Sequence, residues 1–220
     1  MILVIAPHPD DDIICCGGII SKYNSNTKVV FVTDGSRGSP IPEERGEKLA
    51  LKRINEAYNA LGTLGLKDKD RIVFLNNEDG KVSLSRYKVY NQLAEIILED
   101  EKRFQAIYFP SPADVHPDHS EVGKIILKIF KHHKLKDLDL YMYIVHNPPL
   151  LPRKLNDLYK EITLLRIKLK YSYKCFKVDN MSLKEQALRK HESQFKYFDK
   201  NIKRIALSSY ECFYYKKCVA

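Results

Sequence analysis

No stretch of this chain stays apolar for the roughly 18 residues that a bilayer-spanning helix requires. Met1 to Ala6 carries neither the basic leader nor the cleavage pattern of a secretory signal, so a soluble, cytoplasmic protein is expected. Cysteine is sparse and irregular. Cys15, Cys16, Cys175, Cys212 and Cys218 form no C-x-x-C pair, which excludes a thiolate zinc site and argues against a disulfide framework. The expectation is reduced, mostly buried thiols. Internal repeats, low-complexity tracts and dividing linkers are also missing, which points to one domain over residues 1–220. Neither a G-x-G-x-x-G phosphate loop nor a nucleic-acid-reading motif occurs.

What is present suits a core of useful size: 220 residues, 44% of them hydrophobic. There are 37 basic and 28 acidic residues, a formal net charge of +9. Much of the surplus lies beyond Lys124, in Lys131 to Lys136 and Arg166 to Lys177. Such a balance can attract nucleic acid, an anionic membrane face or phosphorylated substrates, but a lysine-rich solvated surface is the simpler reading.

Short β-branched runs alternate with amphipathic segments. Ile2 to Ile5, Lys28 to Val32, Ile72 to Leu75, Ala106 to Phe109 and Leu138 to Val145 read as strands. Helical patterns follow the first four, among them Glu43 to Leu61, with Gly62 as its stop, and the set Val122, Ile125, Ile126 and Ile129. Strands and helices in this alternation predict parallel pairing through right-handed crossovers, hence an α/β, Rossmann-like doubly wound, mostly parallel sheet. A C-terminal β/α extension follows. Leu165 to Cys175 alternates apolar and basic residues as a half-solvated strand would, Leu183 to Phe198 reads as a helix, and Ser209 to Lys217 as a last strand.

Two loops carry the chemistry. Pro7-His8-Pro9-Asp10-Asp11-Asp12 follows the first strand, and Asp114-Val115-His116-Pro117-Asp118-His119 follows the fourth. Strand order in a doubly wound sheet reverses beside the first strand, so these carboxyl-end loops should face each other across the crevice where ligands bind. Histidine and carboxylate donors without cysteine suit a catalytic Zn²⁺, or another divalent transition metal, that keeps one position open for water. His8, Asp11 and His119 are the candidate ligands. Asp10 stands beside them as a general base, and His116 as the group that stabilises an oxyanion or protonates a leaving amine. Asp118 is expected to orient the His116 imidazole. Thr33 to Gly38 should line the same cleft, with Arg37 as an anion contact, and Asn147 to Leu155 should form another wall. Taken singly, a loop histidine is usually a surface or hydrogen-bonded residue, and paired aspartates are often a helix cap. His132-His133 and Cys15-Cys16 are read as such ordinary features.

The two His-Pro-Asp loops resemble the signature motifs of the PIG-L/LmbE-like family of zinc-dependent de-N-acetylases. The resemblance extends to Arg53-Ile54-Asn55-Glu56-Ala57, to Asn77-Glu78-Asp79-Gly80, and to Lys184, Ala187, His191, Ser193 and Gln194. It implies that Arg53 and Asp79 hold substrate hydroxyls or a neighbouring phosphate. Two positions depart from the family pattern: Pro7 stands where alanine is usual, and Asp12 where glutamate is usual.

These readings together predict a metal-dependent amidohydrolase that removes an N-acetyl group from an N-acetylglucosamine-type conjugate, with zinc-bound water as nucleophile. The partner would be a small amino-sugar conjugate, mildly favoured to be anionic; a lipid substrate would bring the protein to a membrane surface, and an oligomer is compatible with the sequence. Rival readings are a same-site hydrolase of another amide, such as N-formyl, and a non-catalytic anion- or nucleic-acid-binding protein on this scaffold. Chelation abolishes turnover in the first two, whereas a binder responds to salt.

Overall fold

A computed structural model describes residues 1–99, 103–135, 138–148 and 154–217. Its strands are β1 (Ile2–Ala6), β2 (Thr27–Thr33), β3 (Ile72–Asn77), β4 (Ala106–Pro110), β5 (Asp139–Tyr143), β6 (Ser172–Lys177) and β7 (Tyr210–Lys216). Between them lie α1 (Asp11–Lys22), α2 (Glu47–Thr63), α3 (Arg86–Glu99), α4 (Pro117–His133), α5 (Leu155–Lys170), α6 (Met181–Arg189), α7 (Glu192–Phe195) and α8 (Lys200–Ala206). The seven strands form one sheet in the order β3-β2-β1-β4-β5-β7-β6. The first five are parallel, and β7 and β6 add antiparallel to the β5 edge. This is the expected doubly wound sheet with its C-terminal extension.

Side-chain alternation along β1 divides the core between the two faces. Ile2, Val4 and Ala6 pack with α1, α2 and α6, while Leu3 and Ile5 pack with α3 and α4. A strand covered on both faces needs apolar residues at every position, which explains the unbroken Ile-Leu-Val-Ile-Ala run. α4 starts where Pro117 occupies the first turn, a position that needs no backbone N–H.

Two expectations about the last third are corrected. Leu165 to Lys170 is the end of helix α5, and only Ser172–Lys177 is strand. Leucine, arginine and lysine are strong helix formers, and alternation over so few residues does not separate the two states. The segment from Leu183 to Phe198 is two helices, α6 and α7, broken at Lys190-His191. The cysteine reading is also corrected: Cys175 and Cys212 stand opposite each other in the β6–β7 pair and form a disulfide. Cys15 and Cys16 are buried free thiols as expected, and Cys218 lies outside the described residues.

Candidate metal centre and active site

β1 and β4 are parallel neighbours, and the sheet order reverses between them. The turn after β1 and the loop after β4 therefore open on the same side, at the crevice of the switch point. There His8 Nδ1 lies 3.2 Å from Asp11 Oδ2 and 3.2 Å from His119 Nε2. His119 Nε2 lies 3.1 Å from Asp11 Oδ2 and closes the triangle. Four donors about 2.0 Å from a tetrahedral zinc are roughly 3.3 Å apart, so this triangle matches one face of such a site and leaves its fourth corner to the cleft. His116 is a looser candidate, with a ring nitrogen within 4.8 Å of those of His8 and His119.

The far nitrogen of each ligand histidine is held by carboxylates. His8 Nε2 lies 3.1 Å from Asp79 Oδ1 and 3.4 Å from Asp118 Oδ2, and His119 Nδ1 is 3.3 Å from Asp114 Oδ2. Such partners fix the tautomer and aim the other nitrogen at the metal position. They are anchored in turn. Asp118 accepts the Gly80 and Val82 amides at 2.7 and 3.2 Å, and Asp79 accepts the Arg37 amide at 2.9 Å. Asp114 accepts the amides of His116, Val145 and His146.

This differs from the sequence expectation at two positions. Asp118 orients His8, not His116, because its position in the first turn of α4 turns the carboxylate toward the loop after β3. Asp79 has one oxygen on His8 and the other on a backbone amide, so it serves the ligand histidine rather than offering a free carboxylate to a substrate.

Asp10 is buried at the cleft, 3.1 Å from Arg53 Nη2. Burial and the neighbouring Asp11 push its carboxyl up, while Arg53 and the ligand histidines restrain it. Arg53 is almost wholly enclosed, and its guanidinium also donates to the carbonyls of Gly35 and Pro9 at 3.0 and 3.1 Å. Room for it comes from two glycines. A Cβ on Gly38 would collide with Arg53 Nη1, and one on Gly35, at φ +66, would come within 2.8 Å of the same atom. The Thr33–Gly38 loop is thus a slot for an arginine, not a phosphate cradle. Arg37 stands half-exposed at the cleft rim, 2.9 Å from Glu78.

His116 packs edge-on to His8 with 4.8 Å between ring centroids, and its Nδ1 has no partner among the described residues. Burial, reinforced by the histidines at its side when they are charged, lowers its pKa to about 3, so the ring is neutral at physiological pH. Asp12, at the position where glutamate is usual, is fully buried and makes no hydrogen bond of normal geometry. Burial pushes its carboxyl well up.

The sequence left the roles of several residues around the cleft open, and His146 unnoticed. Asp114 belongs to a quoted motif, yet its position alone did not reveal that it holds His119. His146 lies 5.5 Å from the His119 ring centroid, just past the end of β5. That position beside the switch point was the available signal. Glu56 accepts both the amide and hydroxyl of Ser193, tying α2 to α7 so that Gln194 reaches the cleft. Lys184 proves structural: it is buried against Glu211 at 2.7 Å, and the same Glu211 caps the amides of Gly18 and Ile19 in α1. Of the expected wall from Asn147 to Leu155, Pro149 and Pro152 lie outside the described residues. The cleft itself is a cavity of about 250 Å³ lined by His8, Asp10, Asp79, His116, His146 and Gln194 among others.

Residues 3–130 match a protein-family model described as PIG-L, GlcNAc-PI de-N-acetylase. Diacetylchitobiose deacetylase of Thermococcus kodakarensis is 30% identical over 198 residues, 88% of this chain and 70% of that protein. A probable N-acetyl-alpha-D-glucosaminyl L-malate deacetylase 2 of Bacillus subtilis is 27% identical over 143 residues, covering 62% of this chain and 63% of its own length. Among solved structures, N,N'-diacetylchitobiose deacetylase from Pyrococcus horikoshii, complexed with an inhibitor, aligns with a TM-score of 0.70 at 22% identity. That alignment covers 98% of this chain and 83% of the other.

Proposed function

The chain belongs to the PIG-L family and is an amidohydrolase; from that premise we propose that it removes the N-acetyl group of an N-acetylglucosamine-type conjugate at a zinc ion held by His8, Asp11 and His119. The observation that carries this reading is the donor triangle with edges of 3.1 to 3.2 Å, backed on both imidazoles by carboxylates. Zinc bound there would polarise a carbonyl and bring a water pKa to about 7. We take residues 1–220 to act as one domain.

The protein's own groups supply the rest. A water adding to the acetyl carbon gives its proton to Asp10, which lines the cleft and has one oxygen held by Arg53. Neutral His116 donates a hydrogen bond to the oxygen that gains charge as the tetrahedral adduct forms. When the C–N bond breaks, the proton from Asp10 passes to the departing nitrogen, and acetate and a free amino sugar leave. Arg37 at the rim is the cation offered to an anionic portion of the conjugate. The names of the relatives direct the choice of substrates: N,N'-diacetylchitobiose and an N-acetylglucosaminyl malate.

The test is acetate release from these two compounds and from N-acetylglucosamine itself. Turnover should vanish on chelation, return with Zn²⁺, and fall roughly 10²- to 10⁴-fold in Asp10→Asn with metal still bound. Full activity in exhaustively chelated protein would sink the proposal.

A further inference from the structure

The antiparallel edge of the sheet comes apart beside the active site. β5 and β7 pair from Leu140 and Lys216 only as far as Met142 and Tyr214, whereas β7 stays paired with β6 down to Tyr210. Beyond Met142 the two strands no longer pair, and between them lies a cavity of about 270 Å³. Tyr143, Ile144 and Asn147 line one side of this gap, and Tyr210, Glu211 and Cys212 the other. Ile14 of α1 and Arg204, Ile205 and Ser208 at the end of α8 complete its walls. The gap sits at the carboxyl end of β5, the end of a doubly wound sheet at which ligands bind, and it adjoins the catalytic cleft. Ile14 lines both. The residues after β5 divide between them, Val145 and His146 to the cleft, Ile144 and Asn147 to the gap; α8 divides likewise, Ile202 to the cleft and Ile205 to the gap. Each cavity is smaller than the ~300–1,000 Å³ of a site for a whole drug-sized ligand, and the two together fall inside that range. Adjoining spaces of this size suit two parts of one molecule.

We infer that the gap receives the part of the conjugate beyond the N-acetylated sugar, and that this part is acidic, a carboxylate or a phosphate. The inference rests on the deacetylase reading and names its substrate class. Charge in the gap decides the sign. Glu211 is satisfied within the protein: it accepts Lys184 Nζ and the Gly18 amide, each at 2.7 Å, and the Ile19 amide at 3.0 Å. Arg204 is exposed and has no acidic partner among the described residues, whereas Arg37 on the cleft rim is held by Glu78. Of the two, Arg204 is the cation that an acidic group meets without displacing a partner. Its planar fork matches a carboxylate or a phosphate. Tyr173 and Tyr210, 62% and 53% exposed, stand in the same gap with Asn147 and Ser208. Rings with polar tips and a guanidinium are a lining for a polar group, not the apolar sleeve that a longer acyl chain would need.

The test uses the zinc-loaded full chain and four sugars, two acidic and two neutral. The acidic pair is N-acetylglucosaminyl malate and N-acetylglucosamine 1-phosphate; the neutral pair is methyl N-acetylglucosaminide and N,N'-diacetylchitobiose. Arg204→Ala should lower kcat/KM for at least one acidic compound roughly 10- to 100-fold, chiefly through KM, and at least tenfold more than for either neutral one. Which acidic compound suffers tells carboxylate from phosphate. Arg204→Lys should recover only part of the loss, because the charge returns without the fork. Equal losses on all four compounds, or none, overturn the inference and leave the deacetylase reading standing. Diacetylchitobiose preferred tenfold over both acids, with Arg204→Ala indifferent, would assign the gap to a second neutral ring and overturn it equally. If no compound is turned over, the deacetylase reading fails by itself, and calorimetric binding of the two acidic compounds decides the inference. Weaker binding in Arg204→Ala then upholds it, and equal or absent binding overturns it.

Discussion

Arg53 is charged and enclosed, a combination that costs several kcal/mol unless every donor and the charge itself are answered. Asp10 answers the charge, and the carbonyls of Gly35 and Pro9 take two of its N–H groups. The arrangement works in both directions: Arg53 is the main influence holding the Asp10 carboxyl down against burial. Removing the guanidinium therefore lets that carboxyl rise. In the proposed reaction Asp10 acts in its ionised form, so the acidic limb of the kcat/KM profile should move to higher pH in Arg53→Met. A merely structural arginine would lower stability and leave the limb where it was. Arg53→Lys should keep most of the wild-type limb, because the charge survives although the planar fork does not.

The antiparallel extension is where an element, rather than a residue, does the positioning. β7 carries Glu211, which accepts the Gly18 and Ile19 amides of α1 and pairs with Lys184 of α6, so the antiparallel β6–β7 pair steadies the helix that begins at Asp11. Cys175–Cys212 fastens that strand pair across a sequence separation of 37. Closing a loop of this length is worth about 4 kcal/mol in the chain-entropy model. Reduction, or Cys212→Ser, should lower the unfolding free energy by roughly 2–4 kcal/mol, read from denaturant midpoints with and without reductant. The pairing was not legible in the sequence, because it depends on the register of two strands that are not consecutive in the helix-strand alternation. The parallel strands were legible for the opposite reason: Ile2 to Ile5 and Ala106 to Phe109 are buried on both faces and announce themselves locally. The end of α5 misled because its apolar and basic residues alternate over a few positions as a strand's would, while leucine, arginine and lysine favour helix. That His8, Asp11 and His119 come together was readable from two local motifs, whereas the places of His146 and Asp79 depend on which loops the sheet order brings together.

At the scale of the whole molecule the centre ties together loops from β1, β3 and β4, so occupancy by a metal bears on the stability of the sheet they leave. Without an ion, negative charge dominates the centre. Burial opposes the charged form of His8, yet Asp79, Asp11 and Asp118 outweigh it and raise its pKa well above the ordinary value; Asp11 and Asp114 likewise outweigh burial and raise His119 to about 9. His119 is therefore protonated at neutral pH in metal-free protein, and a ring nitrogen must be free of its proton to bind a metal. Metal loading at pH 7 should release at least one proton, measured by calorimetry in buffers of different ionisation enthalpy. The sign follows directly. Protons compete with the metal below the raised pKa values, so zinc affinity climbs as pH rises toward 9. Ligand binding to the native state adds RT ln(1 + [L]/Kd) to stability, so the zinc-induced rise in melting temperature should be larger at pH 8 than at pH 6. Asp114→Asn removes one of the carboxylates that keep His119 charged, and should release fewer protons on loading while also weakening zinc by about 10- to 100-fold. Proton release unchanged from zero across this range would mean that the two imidazoles are not where the ion binds.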